Sequence, residues 1–272
     1  MAEQVLRQKV TVPGVQPKLS LHLEKTKLNQ PARFTLVALD GGFILKPPVE
    51  RFPEMPELEH VTMRMARCFG LSTAECGLIP MEGGQHCFIT RRMDREGTTK
   101  LHMEDMCQLT DRLTEEKYRG SLEQVGKIIL RHCQNPLFDA LRFFELTLFC
   151  FLTGNADMHL KNFSLLYPLG GEIQLSPAYD LVPTVLLLPE DQAETALTLN
   201  GRKRRLQQRD FAAFGEALKL SPKQIQNTYT RFANSLPSAL EELARSFCSA
   251  EKKQAYANLI HTRAERLGLN AK

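Results

Sequence analysis

The chain lacks the sequence patterns that mark disulfide-rich, secreted and membrane-spanning proteins. Its seven cysteines include no C-x-x-C pair. Single cysteines such as Cys68, Cys87 and Cys150 are therefore interpreted as small buried hydrophobes in a reducing cytoplasm. The first residues contain no apolar stretch, so no signal peptide is expected. The strongest apolar run, 143–152, contains Glu145 and is far shorter than a bilayer span. We therefore expect a cytoplasmic protein.

A strong excess of positive charge is also missing. The net charge is +4 and the pI is about 8.7, whereas a dedicated nucleic-acid binder usually has a clustered basic stripe and a higher pI. One basic cluster occurs, at 201–205. Such runs are commonly solvated loops. Contact with DNA, tRNA or an acidic partner protein is the alternative interpretation.

The remaining composition is that of an ordinary globular protein. Hydrophobic residues make up 43% and charged residues 24% of the 272 positions, and this length is enough for a body of two lobes. Apolar alternation predicts one helix at 56–69 among strands at 19–24, 34–39, 43–46 and 87–90. These elements indicate a small β-rich lobe, residues 1–93.

Helical spacing dominates the rest of the chain, residues 94–272. Helices are predicted at 122–133, 136–153, 211–220, 222–236, 238–247 and 250–267. A hairpin is predicted at 163–166 and 173–175. The pattern as a whole predicts an α+β fold with a larger helical lobe.

The most informative segment places two carboxylates and an amide in a fixed order. Asp157 is followed five positions later by Asn162, and Asp180 comes after a strand-like segment. The first spacing equals that of the catalytic loop of protein kinases, where the Asp orients the acceptor hydroxyl. There an Asn and a later Asp hold the metal. Asp and Asn are also common in turns, because their side chains bind nearby backbone. The order and the gap together favour a phosphoryl-transfer site.

A lysine upstream fits the same chemistry. Lys46 ends an apolar β-type run that Pro47 stops, like the lysine that contacts ATP phosphates in kinases. Glu59 lies in the first turns of the helix predicted at 56–69, and it is the candidate for the glutamate that orients Lys46. Acidic residues also favour helix N-termini because of the helix dipole, which is the alternative reason for Glu59.

A turn before the Lys46 strand is the candidate phosphate loop. Residues 13–18 contain a single glycine, Gly14, in front of an alternating strand. Backbone N–H groups near a glycine can approach phosphate closely. The segment matches neither the Walker A pattern nor the G-x-G-x-x-G pattern of kinases. Its position, rather than its sequence, supports the assignment.

These residues together resemble the catalytic core of the HipA family of bacterial serine/threonine kinase toxins. The matching stretches follow the family order across most of the chain, at 14–18, 44–46, 92–95, 104–108, 155–164 and 177–180. The resemblance implies a two-lobed, protein-kinase-like fold that binds ATP and Mg²⁺ between its lobes. It implies that Asp157 is the catalytic base and that Asn162 and Asp180 are magnesium ligands.

The resemblance also implies which residues contact the nucleotide. Lys46 would contact the phosphates. The phosphate loop would consist of Pro13, Gly14, Val15, Gln16, Pro17 and Lys18. The adenine would lie against a hinge formed by the backbone of Arg91, Arg92 and Met93. The site would be lined by His159, Leu160, Lys161 and Tyr179.

Within the family, the chain is most similar to the shortened HipT kinases. About ten residues precede the phosphate loop, too few for the small N-terminal subdomain of HipA. In HipT systems a separate small protein, HipS, resembles that subdomain. Family members phosphorylate a serine just before the loop glycine, which ejects the loop and switches the kinase off. Thr11 occupies that place here, and Pro13 stands where HipT proteins carry a second serine. Thr11 can accept phosphate and Pro13 cannot.

The activity implied by the resemblance is phosphorylation of an aminoacyl-tRNA synthetase, tryptophanyl for HipT-like members and glutamyl for HipA, which would halt translation. The implied partners are a HipB-like helix-turn-helix antitoxin, which makes most of the operator DNA contact, and a HipS-like small protein. A small-molecule kinase of the aminoglycoside type shares the Asp–Asn–Asp chemistry and stays open. A DNA-bound regulatory subunit with a vestigial site also stays open, although Lys46, Asp157, Asn162 and Asp180 are all intact.

Overall fold

The computed structural model describes residues 16–24, 33–37, 40–97 and 99–269. Part of the predicted nucleotide site, namely Pro13, Gly14 and Val15, lies outside these ranges, and so does the autophosphorylation candidate Thr11. Positions 38 and 39 of the second predicted strand lie outside them as well.

The first part of the chain forms a five-stranded antiparallel sheet with one helix against it. Its elements are β1 (Leu19–Glu24), β2 (Arg33–Val37), β3 (Phe43–Lys46), α1 (Met55–Cys68), β4 (Cys76–Pro80) and β5 (His86–Arg91). The spatial order is β2-β1-β3-β5-β4, so β3 is the central strand. Helix α1 packs against β4 and β5, with Leu58, Val61 and Met65 buried. The lysine at the end of β3 therefore lies under this helix.

The rest of the chain is mainly helical and contains two small sheets. Strands β6 (Arg95–Glu96) and β7 (Thr99–Lys100) form a hairpin, and a three-stranded sheet contains β8 (His102–Asp105), β9 (Ser164–Tyr167) and β10 (Gln174–Leu175). The helices are α2 (Leu122–His132), α3 (Pro136–Thr153), α4 (Thr184–Leu187), α5 (Gln208–Ala217), α6 (Pro222–Ala244) and α7 (Ala250–Leu267). Short 3-10 turns occur at Gln108–Thr110, Thr114–Glu116 and Leu160–Asn162. No helix in the described ranges is long and apolar enough to cross a membrane.

Helix α3 forms the centre of the helical part because it is apolar on most of its surface. Phe143 is fully buried, and its ring centroid lies 5.1 Å from that of Phe163 and 5.7 Å from that of Phe214. Since Phe163 directly follows Asn162, this aromatic cluster fixes the end of the segment that contains the Asp–Asn motif.

Many predicted elements coincide with observed ones. Strands β1 and β3 and helices α3 and α7 have the predicted bounds. Helix α2 differs by one residue at one end, and α1 and β5 differ by one residue at both ends. Cys87 and Cys150 are buried as predicted, whereas Cys68 is half-buried. Helix α5 begins three residues before its predicted start at 211, because Gln207 and Asp210 form a capping box there.

Four strands of the structure were not predicted, namely the two-residue hairpin strands β6 and β7 and the longer strands β4 and β8. Gly77 and Pro80 weaken the strand pattern of β4, and β8 is polar along most of its length. These two longer strands form because a neighbour supplies their hydrogen bonds, β5 in one case and β9 in the other. This information is not present in the local sequence.

The prediction of separate helices at 222–236 and 238–247 is wrong. Helix α6 runs through Pro237, although a proline inside a helix removes one hydrogen bond and crowds the preceding turn. The apolar face continues at helical spacing across the proline, with Leu236, Ala239 and Leu243 buried. Burial of that face outweighs the missing bond.

Replacing Phe143 by Ala is expected to lower the free energy of unfolding by about 3–5 kcal/mol, because it empties a fully buried aromatic site. Phe138→Ala, in the same helix but at a residue that is 64% exposed, is the matched control. It should change the free energy by less than about 0.5 kcal/mol. Urea denaturation followed by circular dichroism measures both variants. Equal losses would contradict the central position of Phe143 in the core.

Candidate active site

Lys46 lies between two carboxylates that come from different parts of the fold. Its Nζ is 2.6 Å from Oε1 of Glu59, which is carried by α1. It also donates a hydrogen bond to Oδ1 of Asp180, in the segment after β10. Lys46 and Glu59 are only 4% and 1% exposed. The structure thus brings together the strand lysine, the helix glutamate and the second carboxylate of the sequence motif.

Burial and neighbouring charge act in opposite directions on these three groups. Burial disfavours the Lys46 ammonium, but the carboxylates of Asp180 and Glu59 outweigh it and raise the pKa of Lys46. Burial alone would raise the pKa of Asp180, yet Lys46 and Lys18 hold it well below its usual range. For Glu59, burial prevails over the attraction of Lys46 and raises the pKa to about 7. Lys46 is therefore a cation and Asp180 an anion at neutral pH.

Asp180 is held in position by side chains from three segments. Its backbone has φ 60°, in the left-handed region that non-glycine residues seldom adopt. Asn162 donates its Nδ2 to Oδ2 of Asp180 at 3.1 Å, and Asn155 donates to the backbone carbonyl at 3.5 Å. Nζ of Lys18 lies 4.0 Å from Oδ2. The carboxylate therefore lies directly beside the amide that was predicted to share a metal with it.

A short backbone pairing connects the Asp180 segment with the loop after α1. The N–H of Ala178 donates to the carbonyl of Ser72 at 2.8 Å, and the N–H of Ala74 donates to the carbonyl of Ala178 at 2.9 Å. Ala178 stands two residues before Asp180. The pairing therefore positions Asp180 relative to α1, which carries Glu59.

The loop at 155–162 begins where α3 ends. Gly154 adopts φ 71° and terminates the helix. Oδ1 of Asn155 accepts the N–H of Asp157 at 3.2 Å, and the carbonyl of Asp157 accepts the N–H of His159 at 2.8 Å. The side chain of Asp157 is exposed. The aspartate is thus presented to solvent on a backbone that is held on both sides.

Two of the predicted lining residues, His159 and Lys161, belong to this loop, and a third, Tyr179, contacts it. His159 is buried, and burial lowers its pKa. Lys161 forms an ion pair with Asp105, with 2.6 Å between Nζ and Oδ2. The hydroxyl of Tyr179 donates to the backbone carbonyl of Lys161 at 2.8 Å. Tyr179 therefore supports the backbone of the loop, and the charged side chain of Lys161 joins the loop to Asp105.

Leu160 is not brought into this group. Its side chain is 1% exposed and belongs to the core. Its N–H donates to the carbonyl of Lys117 at 3.1 Å, and its carbonyl accepts the N–H of Met106 at 3.1 Å. The side chain and both peptide groups of Leu160 are therefore already engaged in contacts within the protein.

The described part of the predicted phosphate loop, residues 16–18, lies close to Lys46 and Asp180. Gln16 is buried and donates its Nε2 to the carbonyl of Pro47, one residue after the strand lysine, at 3.3 Å. Lys18 reaches Asp180 as described above. Pro17 stands between them and is exposed.

The predicted hinge begins at Arg91, the last residue of β5. The N–H of Arg91 donates to the carbonyl of Glu75 at 2.8 Å, and the N–H of Arg92 donates to the carbonyl of Gly42 at 2.9 Å. Met93 comes next, in a turn. The first two peptide N–H groups of the hinge are thus used within the sheet.

Two residues at the site were not selected from the sequence. The hydroxyl of Tyr118 donates to Oδ1 of Asp157 at 2.7 Å, across 39 positions. Asp105 contacts Lys161 across 56 positions. No local spacing could have indicated either contact. Asn155 heads the selected motif, and the tendency of asparagine to bind nearby backbone could have suggested its bracing role.

The donor set fits a nucleotide with a magnesium ion. Oδ1 of Asn162 is buried and has no hydrogen-bond partner among the described residues. It belongs to the same side chain that contacts Asp180. Magnesium takes oxygen ligands and is usually held by one or two carboxylates together with phosphate oxygens and water. The described residues contain no group of three or more His, Cys, Asp or Glu suited to a metal ion.

The fold matches that of kinases. The structure is similar to a chain of the HipA, HipB and operator DNA complex of Shewanella oneidensis, with a TM-score of 0.77 and 23% identity over 98% of this chain and 71% of that chain. It is also similar to the proinflammatory kinase CtkA of Helicobacter pylori, with a TM-score of 0.64 and 15% identity over 93% of this chain and 95% of that chain. The sheet-rich and helical parts therefore form the predicted two-lobed, protein-kinase-like fold.

The family follows from the sequence match. A family model described as the HipA-like C-terminal domain covers residues 10–240, so the chain belongs to this family. A candidate kinase of Haemophilus influenzae is 31% identical over an alignment of 246 positions, which covers 80% of this chain and 70% of that protein. The serine/threonine-protein kinase toxin HipA of Shewanella oneidensis is 25% identical over an alignment of 285 positions, which covers 95% of this chain and 64% of the toxin. The chain thus spans 64% to 70% of the length of these two relatives.

Lys46→Met is expected to lower the free energy of unfolding by about 3–5 kcal/mol at pH 8, because it leaves the buried Glu59 without its cation. The loss should be smaller at pH 5. Burial raises the pKa of Glu59 to about 7. At pH 5 the carboxyl is therefore neutral and needs no cation, whereas above pH 7 it is charged and the missing cation lowers the stability. Adding Glu59→Gln should recover most of the loss at pH 8. Urea denaturation of both variants at the two pH values is the measurement, and equal losses at both would contradict the buried pair.

Proposed function

We propose that this chain is an ATP- and magnesium-dependent protein serine/threonine kinase and a toxin of the HipA type. The observation that carries the proposal is the contact of buried Lys46 with both Glu59 and Asp180. Protein kinases require a strand lysine, a helix glutamate and a metal-binding aspartate in one assembled site. Membership of the HipA-like family and similarity to the Shewanella toxin support the kinase and toxin parts.

The proposed chemistry depends mainly on position and charge. Asp157 orients the acceptor hydroxyl and takes its proton as the new bond to phosphorus forms and the bond to the ADP leaving group breaks. Lys46 supplies a fixed positive charge for the phosphates. Asn162 and Asp180 would hold Mg²⁺, which would offset charge on the transferring phosphoryl group. The exposure of Asp157 and the burial of Lys46 suit these different tasks.

We place the nucleotide between two lobes, residues 1–93 and 94–272, with residues 13–18 over the phosphates. The hinge against adenine is the backbone at 91–93. Within it, Met93 is the most suitable contact, because Arg91 and Arg92 already use their N–H groups in the sheet. The peptide N–H of Met93 has no partner in the described part of the chain.

The partners are inferred from relatives. The Shewanella structure contains HipA, HipB and operator DNA, which supports a HipB-like helix-turn-helix antitoxin and indirect contact with an operator. The HipT-like subtype, with a HipS-like small protein as a second partner, rests on sequence resemblance alone. So does the protein substrate, an aminoacyl-tRNA synthetase, with the tryptophanyl enzyme favoured.

Asp157→Asn should reduce phosphoryl transfer by at least about 100-fold, because an amide cannot accept the acceptor proton. The variant should keep its unfolding midpoint, since Asp157 is exposed. Transfer of radiolabelled γ-phosphate from ATP to proteins of a bacterial lysate is the measurement. A single labelled band of the size of an aminoacyl-tRNA synthetase, absent with the variant, is the expected result.

The same assay separates the competing functions. Labelling of aminoglycosides or sugars, with no labelled protein, would establish a small-molecule kinase instead. Bound ATP with no transfer to any acceptor would favour a regulatory subunit. A variant with Asp157→Asn that keeps full activity would contradict the role of Asp157 as the base.

Thr11→Ala should keep transfer to the protein substrate and abolish self-labelling, because Thr11 is the hydroxyl in front of the loop glycine. Mass spectrometry of the protein after incubation with ATP locates the phosphate. Ser20→Ala is the matched control, since Ser20 is 1% exposed and accepts the N–H of Gly41 at 3.0 Å. Phosphate on Ser20 would show that the loop has been aligned incorrectly.

A further inference from the structure

A tyrosine outside every sequence motif contacts the proposed base. Tyr118 follows the 3-10 turn Thr114–Glu116, and its hydroxyl donates to Oδ1 of Asp157 at 2.7 Å. The side chain of Asp157 is exposed, and among the described residues Oδ2 has no hydrogen-bond donor. One oxygen of the carboxylate is therefore occupied by protein and the other faces solvent.

We propose that Tyr118 is a positioning residue for Asp157. Its phenol holds Oδ1 and leaves Oδ2 directed toward the acceptor hydroxyl. A free aspartate side chain samples several rotamers, and a carboxylate held in one geometry needs less reorganisation when the hydroxyl arrives. The proposal rests on the proposed function, in which Asp157 is the base.

Tyr118 is itself fixed to the loop that carries Asp157. Its ring meets the ring of His159 edge to face, with 5.1 Å between centroids and an angle of 80°. The backbone carbonyl of Lys117 accepts the N–H of Leu160 at 3.1 Å. The tyrosine and the aspartate are thus joined through two neighbouring residues of the 155–162 loop as well as directly.

A further contact is made to the backbone of Tyr118. Nζ of Lys203 donates to the backbone carbonyl of Tyr118 at 3.4 Å. Lys203 belongs to the basic cluster at 201–205, which the sequence indicated to be a solvated loop. The structure shows that one member of the cluster supports the site.

The phenol acts as a donor throughout the neutral range. Partial burial of the side chain, which is 44% exposed, together with the bond to Asp157, raises the pKa of Tyr118 above its usual value. A neutral donor on a carboxylate forms a charge-assisted hydrogen bond, which is stronger and more directional than a bond between neutral groups. The contact is therefore suited to fixing a carboxylate without neutralising it.

The test is Tyr118→Phe, which keeps the ring and its contact with His159 and removes only the hydroxyl. The turnover number for phosphoryl transfer should fall about 10- to 100-fold, because the lost bond is to a charged group. The KM for ATP and the unfolding midpoint should not change. Tyr167→Phe is the matched control, since it removes a phenol that donates to the carboxylate of Glu104 at 2.6 Å, and it should keep full activity.

Three results would overturn the proposal. The first is an unchanged turnover number for Tyr118→Phe. The second is an increased turnover number, which would show that the phenol blocks the acceptor position. The third is phosphate on Tyr118 itself, found by mass spectrometry, which would make the tyrosine an acceptor.

A second measurement does not depend on activity. With 3-fluorotyrosine incorporated, Asp157→Asn should shift the ¹⁹F resonance assigned to position 118 and leave that of position 167 unchanged. Absence of the shift would overturn the contact. If the wild-type protein transfers no phosphate, but the Asp157→Asn variant still shows the shift, the proposed function is refuted and the contact is supported.

Discussion

The site depends on the pairing of the Lys46 ammonium group with two carboxylates. It comes from the central strand of the sheet and meets Glu59 and Asp180, which are 13 and 134 positions away in the chain. Removing Lys46 leaves both carboxylates without the cation between them, and loss of the partner of a buried charge such as Glu59 is strongly destabilising. The contacts that hold the two parts of the fold together at this point are therefore the same contacts that assemble the site.

The two motif aspartates show how environment separates similar side chains. Asp180 lies beside Lys46 and Lys18, which keep it ionised, and its backbone conformation is fixed by pairing of Ala178 with the loop after α1. Asp157 is exposed at the end of the most apolar helix and is held through Asn155 and Tyr118. One carboxylate is suited to a permanent charge and the other to exchange with a mobile partner. Two carboxylates in different surroundings commonly divide chemical roles in this way.

Predictions from the sequence were most accurate where the signal was local. Helix α3 and strand β3 have the predicted bounds because their apolar spacing, and the residues that end them, lie within the segments themselves. The error at Pro237 arose because the cost of a proline is local, whereas the burial that compensates for it depends on the rest of the molecule. Strand β8 was missed for the same reason, since its partner β9 lies about 60 residues later in the chain.

The sequence alone determined the residue types of the site, their order and the strand, helix and loop that carry them, because spacing and periodicity depend on near neighbours along the chain. Only the tertiary structure decided which groups meet. In the folded protein Lys46 pairs with the carboxylates of Glu59 and Asp180, the side chain of Leu160 is buried in the core, and Tyr118 contacts Asp157. Contacts across tens of residues depend on how whole elements pack, and such packing leaves no regular spacing in the sequence to read.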